Sequence, residues 1–208
     1  MKRTIQSILA MVFMIAATLT AQATDRYWAN TATDFNDGAS WTGGTAPTAN
    51  DRAYFATTPT MQPYVTASKT IYGLFLTPAL GTIASSATSA AGGYVLSGAP
   101  GTSLTLTASG FNYNGVFMME QCTTGTNVIS ANLSFPNETS IKYRNINLIS
   151  GTMDISGALT GDSNTVVRLA GSATGTTFIL SGDNSGFSGG FARATALPVI
   201  IKNPKALS

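Results

Sequence analysis

The sequence predicts an all-β protein, and three observations carry that reading. After Ala23, no stretch of about 12 residues shows the 3.6-residue spacing of apolar positions that a helix needs. Short apolar runs alternate instead with Thr, Ser, Asn or Asp, as at Leu104/Leu106, Leu133/Phe135 and Met153/Ile155. One face of each run is therefore buried and the other wet. The runs end repeatedly in Ser-Gly or a near equivalent, and Gly, Asn and Asp supply corners that tolerate positive φ.

Thr176 to Ser208 joins these features in one order. Phe178-Ile179-Leu180 reads as a strand, Ser181 to Ser185 as a polar turn and Phe187 as a lone apolar plug. Gly189-Gly190 makes a second turn before the apolar run Leu197 to Ile201. One coil of a parallel β-solenoid needs this order, because each coil buries a few aliphatic side chains on its neighbour and turns tight corners between them. The segment also resembles the autotransporter-associated β-strand repeat. The resemblance rests on Leu180-Ser181-Gly182, Asn184, Phe187, Gly189-Gly190, Val199-Ile200-Ile201 and Asn203-Pro204-Lys205-Ala206-Leu207. It implies a right-handed parallel β-solenoid in an exported surface protein, and it brings no catalytic group.

Residues 1–23 read as an export leader. Lys2 and Arg3 form a basic start, Ile8 to Leu19 an apolar run, and Ala21-Gln22-Ala23 a small-x-small cleavage site. The apolar run is shorter than the ~20 residues that span a bilayer. Residues 24–66 form an aromatic lead-in with Tyr27-Trp28, Phe35, Trp41, Pro47, Asp51 and Tyr54-Phe55. It is similar to the start of many exported repeat proteins of that family, with Asp37 where the pattern has Asn. Trp28, Trp41, Tyr54 and Phe55 are large enough to cap the open end of a first coil. The alternative role for Trp28 and Trp41 is a stacking platform for sugars.

Residues 67–208 read as the coils. Ile71 to Leu76 is a nearly continuous apolar strand, buried on both faces. From Tyr94 onward, Ser97-Gly98, Ser109-Gly110, Ser150-Gly151, Ser156-Gly157 and Ser181-Gly182 close successive strands. Their spacing is irregular, which suits coils with unequal loops and also a β-sandwich built of hairpins. The resemblance favours the solenoid. The apolar run at Val199 to Ile201 leaves an open edge, so the sequence reads as the front of a longer surface protein, or as a chain whose edge pairs with another.

Without Lys2 and Arg3 the chain carries 9 basic and 9 acidic residues, and charged residues are 10% of the whole. Ordinary soluble domains carry about 25%. A nucleic acid or an anionic membrane would call for a clustered basic face, so both are excluded as partners. Cell-surface glycans and other surface proteins remain. The one cysteine, Cys122, permits no internal disulfide and reads as a small buried hydrophobe.

The chain has no histidine, which excludes His/Cys zinc sites and Ser-His-Asp or Cys-His nucleophiles. No cofactor or metal is expected. Carboxylate chemistry stays open as the enzymatic alternative, a polysaccharide hydrolase or lyase. Asp154, Asp162 and Asp183 approach one another if coils stack in register, with Lys142, Arg144 or Arg168 as the basic partner. Against it, Gly-Asp-Ser-Asn and Gly-Asp-Asn-Ser are ordinary turn sequences in which Asp bonds its own backbone. The expected function is a non-enzymatic stalk or adhesive module at the cell surface.

Overall fold

The computed structural model describes residues 23–77, 92–108, 118–171 and 174–207. Apart from Ala23, the expected leader lies outside the described residues. So do residues 78–91, a small polar stretch whose sequence reads as a loop, and Ser109-Gly110. The described chain is mostly β-strand, with a single short 3₁₀ turn at Gly38–Ser40. In order the strands are β1 (Asp25–Tyr27), β2 (Arg52–Tyr54), β3 (Tyr64–Val65), β4 (Lys69–Ile71) and β5 (Gly73–Leu76). Then come β6 (Val95–Gly98), β7 (Ser103–Leu106), β8 (Met119–Ile129), β9 (Asn132–Ser134) and β10 (Lys142–Ile155). The last five are β11 (Leu159–Thr160), β12 (Thr165–Gly171), β13 (Thr176–Leu180), β14 (Gly190–Arg193) and β15 (Val199–Ile201).

Every pairing between these strands is parallel. Hairpins pair antiparallel, so the described strands contain none and the hairpin sandwich loses its basis. Three ladders result. The first runs β1-β2-β5-β8-β10-β12-β14, the second β3-β6-β8-β10-β13-β15, and the third β4-β7-β9-β11. From β2 to β12 the chain visits first, second and third ladder in turn, then returns to the first one rung further on. Along the first ladder, Asp25 faces Arg52 and Arg52 faces Gly73, steps of 27 and 21 residues. Leu74 faces Met119 and Met119 faces Ile146, steps of 45 and 27. Ile146 faces Leu169 and Leu169 faces Arg193, steps of 23 and 24. The long step is the one that contains residues 78–91 and 109–117.

Strands β8 and β10 serve two ladders because they bend in the middle. Gly125 and Gly151 sit at the bends with φ of 89° and 73°. A Cβ on Gly151 would also lie 2.3 Å from the Thr123 carbonyl oxygen. Only glycine meets both demands.

The core is a set of columns. Leu74, Met119, Ile146 and Leu169 stack in the first ladder. Leu96, Ile129, Ile155 and Leu180 stack in the second, and Leu104, Leu133 and Leu159 in the third. All are buried. At about 1.5–3 kcal/mol for each fully buried aliphatic side chain, these columns dominate the stabilisation. The expected strand Ile71 to Leu76 divides at Tyr72: Ile71 ends β4 in the third ladder, and β5 begins the next rung of the first. All four residues of β5 are buried, as the continuous apolar run required.

The Ser-Gly pairs fall into two classes. Ser130 and Ala131 both donate to the Leu96 carbonyl, Ser156 and Gly157 to that of Ile129, and Ser181 and Gly182 to that of Ile155. Ser130, Ser156 and Ser181 are therefore equivalent corners, leaving the second ladder at steps of 26 and 25 residues, whereas Ser97 lies inside β6 and its amide donates to the Pro63 carbonyl. Ser150-Gly151 is not one of them, since it forms the bend inside β10. The expected strands on either side of it are one strand.

Phe187 is buried as a plug. Its ring meets Phe135 at 6.0 Å and Phe191 at 5.4 Å, centroid to centroid. The strands of residues 24–66 are continuous with the rest, because β2 pairs β5 and β3 pairs β6.

Candidate functional site

Trp28 and Trp41 come together at the β1 end of the ladders. Their rings meet edge to face at 5.3 Å, and Phe35, Phe55 and Tyr94 complete the cluster. Two backbone bonds tie the Trp41 segment to the end of β1: the Thr42 amide donates to the Tyr27 carbonyl and the Ala29 amide to that of Ser40. The 3₁₀ turn before Trp41 is held by Asp37, whose carboxylate accepts the Ala39 amide at 3.0 Å. Both indoles are buried, at 3% and 2% exposure. Their N–H groups donate inward, Trp28 to the Met61 carbonyl and Trp41 to that of Phe35. Sugar stacking needs an open ring face, and neither indole presents one.

The three aspartates are not brought together. Asp154 lies level with Ile179 in β13 and accepts the Ser181 hydroxyl. The Leu159 amide donates to Asn184, and Gly161 bridges Phe187. Asp183 is thereby level with Ala158, and Asp162 with Ser188. Four positions along extended chain separate them by roughly 13 Å, beyond the ~5–10 Å over which two carboxyls share a glycosidic bond.

Each acid is also committed to its own turn. Asp162 accepts the Glu138 amide at 2.6 Å, the Asn164 amide at 3.1 Å and the Thr165 hydroxyl at 3.1 Å. These bonds, the Glu138 amide first, hold its carboxyl below the ordinary range. Asp183 is pulled down to about 2, first by its hydrogen bonds to Ser185 and then by Lys205, whose Nζ lies 3.1 Å away. Carboxyls shifted this way stay ionised near neutrality and are poor proton donors. Glu120 shows the opposite shift, raised by burial and opposed by Asn147. It is enclosed at 3% exposure, with the Asn147 side-chain amide donating to it at 3.2 Å.

Of the basic candidates, Arg144 is wholly buried. It pairs with Glu138 and donates to the carbonyls of Thr107 and Ala108 at 2.7 and 2.9 Å. Arg168 lies over the Tyr143 ring at 5.4 Å. Glu138 is the residue that sequence reasoning missed; it sits in a polar turn and only the fold brings it to Arg144. Together Arg144, Glu138, Asp162 and Asn164 clasp the turn before β10 to the turn before β12, because Asn164 also donates to the Glu138 carbonyl at 2.7 Å. These bonds make a structural clasp between the two turns.

Cys122 is buried and unbridged, and burial first, then Glu120, raises its thiol pKa. Among the described residues no group of three or more His, Cys, Asp or Glu could hold a metal ion. No helix of the described residues is long and apolar enough to cross a membrane. Comparison with protein-family models, with curated proteins and with solved structures finds no match to this chain.

Proposed function

We propose that this chain is an exported, non-enzymatic β-solenoid module of an autotransporter-like surface protein, wound right-handed and serving as a passenger stalk or adhesive segment. The observation that carries the reading is the ordered return of the chain through three parallel ladders, mostly 21 to 27 residues per pass. Parallel crossovers of this kind are nearly always right-handed, and stacked rungs make a stiff rod. Weak charge and abundant Ser and Thr suit a surface that meets neutral glycans or other surface proteins. The turn-bound aspartates and buried tryptophans remove support from the hydrolase and sugar-platform alternatives.

Produced with its leader in a bacterial host, the chain is expected outside the cytoplasm with Thr24 as its first residue. Recovery from the cytoplasm with Met1 retained would count against export. On a panel of surface glycans, no turnover is expected. Cleavage that disappears in Asp162→Asn or Asp183→Asn would make the protein an enzyme, and binding lost in a folded Trp28→Ala or Trp41→Ala would make it a carbohydrate-binding module.

A further inference from the structure

Two tripeptides of the chain, Asn132-Leu133-Ser134 and Asn137-Glu138-Thr139, have the Asn-x-Ser/Thr form whose asparagine amide accepts a sugar. The fold treats them in opposite ways. Asn132 lies in β9, and both polar atoms of its side chain are taken. Its Nδ2 donates to the Thr102 carbonyl at 3.1 Å, and its Oδ1 accepts the Ala158 amide at 3.1 Å. Ser134, its hydroxyl partner, stands in register between Thr105 and Thr160. This first tripeptide is spent on joining rungs of the third ladder. Asn137 instead lies in the irregular stretch between β9 and β10. It is exposed, and its side chain bonds no other residue among the described ones. Thr139 is exposed as well. Glu138, between them, is held the other way. Its carboxylate pairs with the buried Arg144, its amide donates to Asp162 at 2.6 Å, and its carbonyl accepts from Asn164 at 2.7 Å. The anchored middle residue leaves the amide and the hydroxyl on either side of it presented to solvent.

We propose that Asn137, and not Asn132, is an N-glycosylation site of the folded chain. The donor is a diphosphate-activated sugar, brought by a transferase that reads the tripeptide. Transfer joins Nδ2 of Asn137 to the anomeric carbon of the sugar. The bond from that carbon to the diphosphate oxygen breaks, the diphosphate leaves with the electron pair, and Nδ2 gives up one proton to a base of the transferase. Nothing is oxidised or reduced. A sugar here stands on a surface loop, the usual place for a bulky polar modification. At Asn132 the same sugar would displace the Thr102 carbonyl from Nδ2 and open the ladder. The inference goes beyond the stalk or adhesive role and depends on neither export nor adhesion.

The test incubates the folded full chain with an N-glycosyltransferase that reads Asn-x-Ser/Thr and with a nucleotide-diphosphate hexose. A standard acceptor protein run alongside shows that the enzyme is active. Intact mass and peptide mapping are the readouts. The chain is expected to gain a single hexose, on the peptide that holds Asn137. Asn137→Gln and Thr139→Ala are each expected to abolish the gain, and Thr139→Ser to keep it. Both positions are exposed, so the urea unfolding midpoint of these variants is expected to match that of the parent chain. No transfer to the folded chain, transfer at Asn132, or a product that survives Asn137→Gln would each overturn the proposal.

Discussion

Arg144 has its guanidinium fully enclosed, its charge answered by Glu138 and two of its donors taken by the carbonyls of Thr107 and Ala108. Removing one member of a buried pair leaves the other uncompensated, which typically costs about 3–5 kcal/mol. Arg144→Met is therefore expected to lose stability on that scale in urea unfolding, and adding Glu138→Gln is expected to restore part of it. A loss under about 1 kcal/mol in the single variant would show that the clasp contributes little. Asp162 and Asp183 add a pH dependence of definite sign. Both carboxyls are held below their ordinary value of 3.8 in the folded chain. Their contribution is fully present above that value and is lost as pH falls through the folded pKa, near 2 for Asp183. The unfolding midpoint is expected to drop between about pH 4 and pH 2, and more shallowly in the Asp162→Asn, Asp183→Asn double variant. An identical acid slope in both proteins would remove these two groups from the account.

The corners after the second ladder join sequence to element. A Cβ on Gly157 would lie 2.0 Å from the Ala131 carbonyl oxygen, whereas one on Gly186 would meet nothing. Gly157→Ala is expected to cost about 1–3 kcal/mol through backbone displacement, and Gly186→Ala close to nothing; equal effects on melting would contradict the corner geometry. Asn184 acts between elements, accepting from Leu159 at 2.8 Å and donating to Ala206 at 2.9 Å while fully buried. Asn184→Ala strands both partners and is expected to lose about 2–4 kcal/mol by the same measurement. The alternation of Leu104/Leu106 and Met153/Ile155 made the strands legible, and Phe187 between two Gly-rich turns announced its plug. The period was not legible, because Ser150-Gly151 and Ser156-Gly157 look alike in sequence while one is a bend within β10 and the other a corner. The Arg144 clasp was hidden for a related reason: Thr107, Glu138, Arg144 and Asp162 share no local pattern, and only register brings them together.

At the scale of the whole molecule, each described strand pairs only with strands of the rungs beside it, so position along the stack should decide the cost of the same substitution. Ile129 and Ile201 occupy one column and test this directly. Ile129 lies between Leu96 and Ile155 and is wholly buried, whereas Ile201 pairs with Leu180 and is partly exposed. Ile129→Ala empties a site enclosed from both sides and is expected to cost about 2–5 kcal/mol. Ile201→Ala removes a side chain that is already 40% exposed and is expected to cost under about 1 kcal/mol. The same gradient predicts faster amide exchange in β14 and β15 than in β10, and slower exchange at Tyr27 and Trp28, where the Trp28 and Trp41 cluster is buried. Urea unfolding of the two alanine variants measures the first difference. Equal losses would mean that the ladders unfold as one unit whose ends are as tightly held as its middle, and the stack would then not be the nearest-neighbour structure that its pairing describes.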